Sequence, residues 1–465
     1  MQSIVEIAES VRAGQVSAVE IVQSCLDAID AKNAKVNAFI YLDRESALAS
    51  AREIDAGVHR GEDPGPLAGV PFGIKDLRDD CRGMPRTDGS LFLKDSPPAA
   101  EDTVHIARLK AAGAIPLGKV ASAEFGMDGV THTRAYGTTR NPWDLTRTPG
   151  GSSGGSAAAV SAGLAPFCTA TDGGGSTRCP AGYTGLAGLK PSHGRIPRSD
   201  GSSDRSCLGA LTTTVRDTAR YLDAVAGPHE CDRMTLPPPT IRYEEIIDTL
   251  DVAGLRAAWS PDLGYAPVEP DVVEQAEKTA MRLVDAARLT LFSERVQLTN
   301  TYLATNMLLT EPFVLFLEAE GILPARIDEL SPGPRYFVER SRRLTPTERF
   351  DAMQQEKQLL RELGSLFSRI DVLLTPTNSC GAYAAEGPLP EVIAGRDASA
   401  THAEPFTMLA NLGWNPSISV PAGLTREGLP VGLLITTRRH RDDIALRLAR
   451  ILEEIQPWPR HAPGW

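Results

Sequence analysis

Gly150-Gly151-Ser152-Ser153-Gly154-Gly155-Ser156, an alanine-rich run, and then Thr171-Asp172-Gly173-Gly174-Gly175-Ser176-Thr177-Arg178 form the stretch from which the rest of the chain is read. Two glycine-rich turns, each carrying serine, flank one short helical and one short strand-like segment. Glycine has no Cβ and takes φ > 0 readily, so such turns let backbone N–H groups converge on a bound atom. The pattern predicts an anion hole.

Several motifs compete for these turns, and the residues separate them. A phosphate-binding P-loop needs a lysine after its glycines, and none follows here. Neither turn has the G-x-G-x-x-G spacing of a dinucleotide site. Gly151 to Gly155 matches the loose G-x-S-x-G pattern of a nucleophile elbow, but an elbow needs a strand running into it. What precedes, Asn141-Pro142-Trp143-Asp144-Leu145-Thr146-Arg147-Thr148-Pro149, reads as a loop. A Ser-His-Asp triad would also need a downstream histidine such as His193 or His402, and each of these lone histidines reads as structural.

Around this stretch, 465 residues with 42% hydrophobic and 23% charged positions describe a folded globular chain. The formal charge of −11 and the lack of a long basic run exclude a nucleic-acid backbone as the expected partner. Arg438-Arg439-His440-Arg441, the most basic spot, reads as a solvated loop before a helix. Seven cysteines, scattered and without a C-x-x-C pair, fit neither a disulfide framework nor a zinc site, so no metal is expected. The N-terminus lacks the basic and apolar regions of a signal peptide, and the longest low-charge run, Ser156 to Ala170, is too short to span a bilayer. The expectation is a cytoplasmic enzyme with a small-molecule partner, no nucleic acid and no membrane.

The first sixty residues read as helices. Ile4, Ile7, Ala8 and Val11 share one helical face, Ser17 to Glu20 forms a capping box before a helix whose inner face is Val22, Cys25, Leu26 and Ile29, and a third helix runs from Glu45 to about Ala56. Leu67-Ala68-Gly69-Val70-Pro71-Phe72-Gly73-Ile74-Lys75-Asp76 is an apolar, strand-like run ending in lysine. Alone, that lysine reads as a surface residue, because an ammonium is almost never buried without a partner. Beyond it come a helix from Asp102 to Ala112, strands at 114–118, 167–171 and 186–191, and a helix from Val215 to Ala226. The proline run at Leu236-Pro237-Pro238-Pro239-Thr240 reads as a stiff connector. A strand at 254–259 and a mostly helical segment to about Arg369 follow, the latter including a helix from Asp271 to Arg288. Strands at 370–374, 417–420 and 431–436 return the chain to the sheet. Helix–strand alternation without a long linker or repeat predicts one α/β unit.

The two serine turns in this order, followed by Gly188-Leu189-Lys190-Pro191 and preceded by Gly69 to Asp76, resemble the amidase signature family. The resemblance runs from about Leu67 to Gly227 and recurs at Pro416 to Gly423 and Gly428 to Gly432. It implies a single domain over 1–465: a helical N-terminal segment (1–62), a signature core (63–227), a variable helical region (240–369) and a return to the sheet (370–465). The implied fold is one large mixed β-sheet covered on both faces by helices.

The implied reaction is hydrolysis of a carboxamide through an acyl-enzyme, with no metal or organic cofactor, and a homodimer is compatible with it. Carried residue by residue, the resemblance makes Ser176 the nucleophile, Ser152 a proton shuttle on a cis peptide after Gly151, and Lys75 the base. A serine hydroxyl needs an adjacent base, and a lysine serves only when burial or a positive neighbour lowers its pKa. The N–H groups of Gly173, Gly174, Gly175 and Ser176 would form the oxyanion hole. Asp172 and Arg178 would hold the turn, and Ser153 would hydrogen-bond to the lysine. Gly173 departs from the family pattern, which has threonine there, and a freer turn follows from it. The pocket walls are expected from Tyr302 to Phe316 and the Trp414 region, with Phe125 and Tyr136 as core residues. The same catalytic set would serve the glutaminase component of a tRNA-dependent amidotransferase, and a non-catalytic binding protein on the same fold is a third reading.

Overall fold

The computed structural model describes residues 1–199 and 203–465. Eleven strands form one mixed sheet: β1 (Phe39–Leu42), β2 (Pro71–Lys75), β3 (Ile115–Val120), β4 (Phe167–Asp172), β5 (Ala187–Lys190), β6 (Cys207–Thr212), β7 (Arg256–Trp259), β8 (Thr290–Leu291), β9 (Val372–Pro376), β10 (Ser417–Leu424) and β11 (Pro430–Thr437). Across the sheet they lie in the order β1-β3-β2-β4-β6-β5-β10-β11-β9-β7-β8. β2 is parallel to both β3 and β4, with Phe72 opposite Phe167. β4 is antiparallel to β6, with Asp172 opposite Cys207. The two loops that follow β2 and β4 therefore leave the sheet side by side, at the same end of the strands.

Helices cover both faces. One row contains α1 (Ile4–Arg12), α4 (Val104–Ala111), α7 (Val215–Val225), α9 (Pro270–Ala286) and α14 (Asp442–Ile455); the other contains α2 (Ala18–Val36), α5 (Gly154–Ser161) and α6 (Arg178–Thr184). The capping box at Ser17 and Glu20 is present, and Val22, Cys25, Leu26 and Ile29 form the buried face of α2 as read from the sequence. Every residue of α5 is buried. Gly155 makes that possible, because a Cβ there would lie 2.3 Å from the Ala121 backbone nitrogen. Remaining helices are α3 (Arg44–His59), the single turns α8 (Tyr243–Ile246) and α13 (Met408–Leu412), and three helices over the far part of the chain: α10 (Tyr302–Ala319), α11 (Pro332–Arg342) and α12 (Pro346–Arg369). Val314, Leu317, Ile322, Leu323, Leu330 and Val338 form a small core of their own there, against which Phe92, Phe125 and Phe313 pack.

The strands read from the sequence appear within two residues of their expected starts, except the run from Leu67, which pairs as a strand only from Pro71. Three strands are not legible there, among them the two-residue β8 (Thr290–Leu291). Phe39–Leu42 falls in the segment that the sequence pattern assigns to helices, yet a left-handed Asn37 ends α2 and frees the run to pair with β3 as an edge strand. Cys207–Thr212 carries Gly209 at its centre, which weakens strand propensity; tertiary pairing with β4 and β5 decides it. Among the described residues, no helix is long and apolar enough to cross a membrane.

Candidate active site

Lys75 ends β2 and is fully buried. Its Nζ donates to Ser152 Oγ at 2.8 Å and to Thr171 Oγ1 at 2.8 Å, while its backbone N–H donates to Thr169 Oγ1 at 2.9 Å. Burial lowers its pKa from the usual lysine value to about 7, against the opposing pull of Asp172, Asp79 and Asp88. The partner that a buried lysine requires thus comes from the first glycine turn.

That turn is held from several sides. Gly150 has φ 90° and the Gly151–Ser152 peptide is cis. Thr131 Oγ1 donates to Gly150 O at 3.0 Å and accepts from Gly154 N at 3.1 Å. A Cβ on Gly151 would lie 2.3 Å from Asp128 O, so only glycine lets the loop approach. Ser152 O accepts from Ala123 N at 3.0 Å, and its side chain is buried. Ser153 departs from its expected place on the lysine. Its hydroxyl donates instead to Thr171 O at 3.4 Å, and the second hydroxyl on Lys75 belongs to Thr171, because β4 runs beside β2 and presents alternate threonines to it.

The second turn follows β4. Asp172 and Arg178 form a buried two-pronged ion pair, with Oδ2 to Nε at 2.9 Å and Oδ1 to Nη2 at 2.7 Å. Burial alone would raise the Asp172 pKa, but the guanidinium overrides it and brings the carboxyl down to about 2. Arg178 also donates to Thr407 O and Asn411 Oδ1, Asn411 Nδ2 donates to Asp172 O and Oδ1, and Thr177 N donates to Asp172 Oδ2. Gly175 has φ 142°, and a Cβ there would lie 2.3 Å from Thr407 Oγ1. Thr407 Oγ1 donates to Gly174 O at 2.5 Å. Despite three consecutive glycines, the turn is tied on both sides. Among the described residues, the N–H groups of Gly173, Gly174, Gly175 and Ser176 donate to no protein acceptor.

Ser152, Thr171, Gly173, Gly174 and Ser176 line one side of a cavity of about 210 Å³. Ser176 is half-buried at its wall. Tyr302, Asn306, Leu309, Thr310 and Phe313 of α10 also line it, as the sequence led one to expect. Phe125, expected in the core, also lines the cavity, its ring 4.8 Å from that of Phe313. Trp414 lies outside the lining and stacks on His193 at 4.6 Å. Neither His193 nor His402 lines the cavity.

Sequence reasoning missed Thr171 as a partner of the lysine, Thr407 and Asn411 as braces, and Asp128 and Glu404 on the cavity wall. Thr171 stood inside the quoted motif and could have been found by its place beside Asp172. Thr407 and Asn411 reach the turn, and Glu404 the cavity wall, from a distant part of the chain, and they carry no local signal.

An amidase family model matches residues 20–446. An acylamidase of Rhodococcus erythropolis is 34% identical over 471 residues, covering 99% of this chain and 97% of that protein. One component of the glutamyl-tRNA(Gln) amidotransferase of Chloroflexus aggregans is 34% identical over 479 residues, covering 97% of this chain and 96% of that one. Among solved structures, a bacterial aryl acylamidase of the amidase signature family superposes with a TM-score of 0.92 at 28% identity, over 98% of this chain and 96% of its own. With its lysine strand, its two glycine turns and its mixed sheet, the chain belongs to the amidase signature family and is an amide hydrolase of that family.

Proposed function

We propose that the chain hydrolyses the C–N bond of a small carboxamide by acylation of Ser176, acting as a single catalytic unit. The observation that carries this reading is the 2.8 Å contact between Ser152 Oγ and a fully buried Lys75 Nζ. With a pKa near 7, the lysine is available as a neutral amine at neutral pH and can accept a proton from Ser152. Ser152 in turn takes the proton of Ser176 as Ser176 Oγ attacks the carbonyl carbon. The developing oxyanion is met by the N–H groups of the Gly173–Ser176 turn, worth about 3 kcal/mol per donor in a comparable hydrolase. Collapse of the tetrahedral intermediate breaks the C–N bond, and the proton returns through Ser152 to the departing ammonia or amine. Water then repeats the sequence on the acyl-enzyme. Ser153, Asp172 and Arg178 support the turns that carry these groups.

A panel of aliphatic, aryl and α-amino amides, scored by ammonia or amine release with Ser176→Ala as the blank, tests the reading. Release that persists in Ser176→Ala would remove it. The similarity to the amidotransferase component supports a second reading, a glutaminase feeding ammonia to a partner protein. Glutamine hydrolysis that requires a co-purifying protein would favour that alternative, whereas hydrolysis of simple amides by the isolated chain favours the first.

A further inference from the structure

We propose that Glu404 is a substrate-positioning residue that works as a neutral carboxylic acid, donating a hydrogen bond to an uncharged oxygen acceptor on the amide substrate. The inference rests on the amidase reading above and concerns the wall of the same cavity.

Glu404 lines the cavity together with Asp128. Its buried Oε1 has no hydrogen-bond partner among the described residues. The carboxyl lies against the Gly129 backbone, where a Cβ would be 3.1 Å from Glu404 Oε1 and 3.2 Å from the Tyr383 hydroxyl. The ionisable groups that face it are Asp128 from the neighbouring loop, Asp172 from the second turn, Arg178, Cys179 and Tyr183 from α6, Tyr302 from α10, and Cys380 and Tyr383 from the loop beyond β9. Only Arg178 is a cation, and its guanidinium is committed to Asp172, Thr407 O and Asn411.

Two carboxyls on one half-buried wall do not both ionise easily. The one with hydrogen-bond donors keeps its charge. Asp128 accepts from Val130 N at 3.2 Å and also from the backbone N–H groups of Gly129 and Gly333, the latter at the start of α11. Glu404 has only the Cys179 thiol, a weak donor, so it retains the proton. The titration order agrees: burial raises Asp128 only to about 6, because those N–H groups oppose it, while burial and the Asp128 charge raise Glu404 to about 8. At neutral pH the wall therefore offers one O–H donor beside one fixed negative charge. That combination suits a carbonyl or ether oxygen of a neutral amide.

The consequence is a bell-shaped dependence of kcat/KM on pH. The acid limb near 7 belongs to Lys75 and an alkaline limb near 8 belongs to Glu404. Glu404→Gln preserves a donor and cannot ionise. Against a neutral carboxamide it is expected to stay within about threefold of the unaltered chain at pH 7 and to lose the alkaline limb, whereas Glu404→Ala loses about tenfold or more at pH 7. If Gln is as damaging as Ala, or if the alkaline limb survives in Glu404→Gln, the proposal is overturned. A measurement without any variant guards against misfolding: competitive inhibition of the unaltered chain by a neutral methyl-ketone analogue of the substrate, followed from about pH 7 to 9. The ketone should weaken through pH 8 as Glu404 loses its proton; affinity that stays flat across that range contradicts the proposal, because no donor is then lost. Ser176 labelling by a fluorophosphonate does not require Glu404, so failure of the catalytic reading would show there and failure of this inference would show only in the pH and inhibitor data.

Discussion

Two regions of the molecule contrast sharply in how they are packed. Between Thr148 and Arg198 every residue is buried except Gly173, Gly174 and Ser176, all three on the wall of the cavity. The helices α10 to α12 instead leave Leu315, Phe316, Tyr336, Phe350, Met353 and Leu360 exposed around a small core of six residues. The first region holds the candidate chemistry in place by close packing and paired charge. The second supplies the wall of Tyr302, Asn306, Leu309, Thr310 and Phe313 against which a substrate would lie. Position is thus fixed where bonds would be made and broken, and the surface that would choose the substrate is borne by elements with less to hold them.

Substitutions can break or sharpen this contrast. The largest expected effect is at Lys75: Lys75→Ala removes the base, and single-turnover acylation should fall by about 10³-fold or more, read by acyl-enzyme formation. Next is Asp172→Asn, which leaves the buried Arg178 without its ion partner and is expected to cost about 3–5 kcal/mol in denaturant unfolding, with activity lost as the turn loosens. Gly175→Ala forces a Cβ to within 2.3 Å of Thr407 Oγ1 at φ 142° and is expected to cost about 1–3 kcal/mol. Gly173→Thr is the sharpest internal control. A Cβ there meets nothing closer than Ser206 Cβ at 3.7 Å, so stability should move by less than about 1 kcal/mol although the position lies in the same turn. The smallest effect is expected in the helical region, where Phe350→Ser on the exposed face of α12 should change stability by about 0.5 kcal/mol or less.

The same contrast explains what was legible in the sequence. The sheet strands 167–172 and 187–190 and the helix faces of α1 and α2 follow from local periodicity and capping, because each buries a regular pattern of its own residues. Family resemblance pointed to Lys75, Ser152 and Ser176, and the geometry brings Lys75 and Ser152 into contact while placing Ser176 on the same cavity. What escaped was whatever depends on two distant segments meeting. Thr407 and Asn411 brace a turn more than half the chain away in sequence, and the Ser153 hydroxyl is turned from the lysine by the threonine ladder of β4. The Cys207–Thr212 strand belongs to this group as well, since its glycine-broken run becomes a strand only between β4 and β5.

The central claim is that Ser176 is a nucleophile activated through Ser152 by a neutral Lys75. Its most direct test is the rate at which a fluorophosphonate modifies the protein, with the modified residue mapped by mass spectrometry from about pH 5.5 to 8. The account predicts a single adduct on Ser176. Because the pKa of Lys75 is lowered to about 7, the rate should climb about tenfold per pH unit below that value, level off above it, and collapse in Lys75→Ala. An adduct on another serine, or a rate on Ser176 that is independent of pH and survives Lys75→Ala, would contradict it.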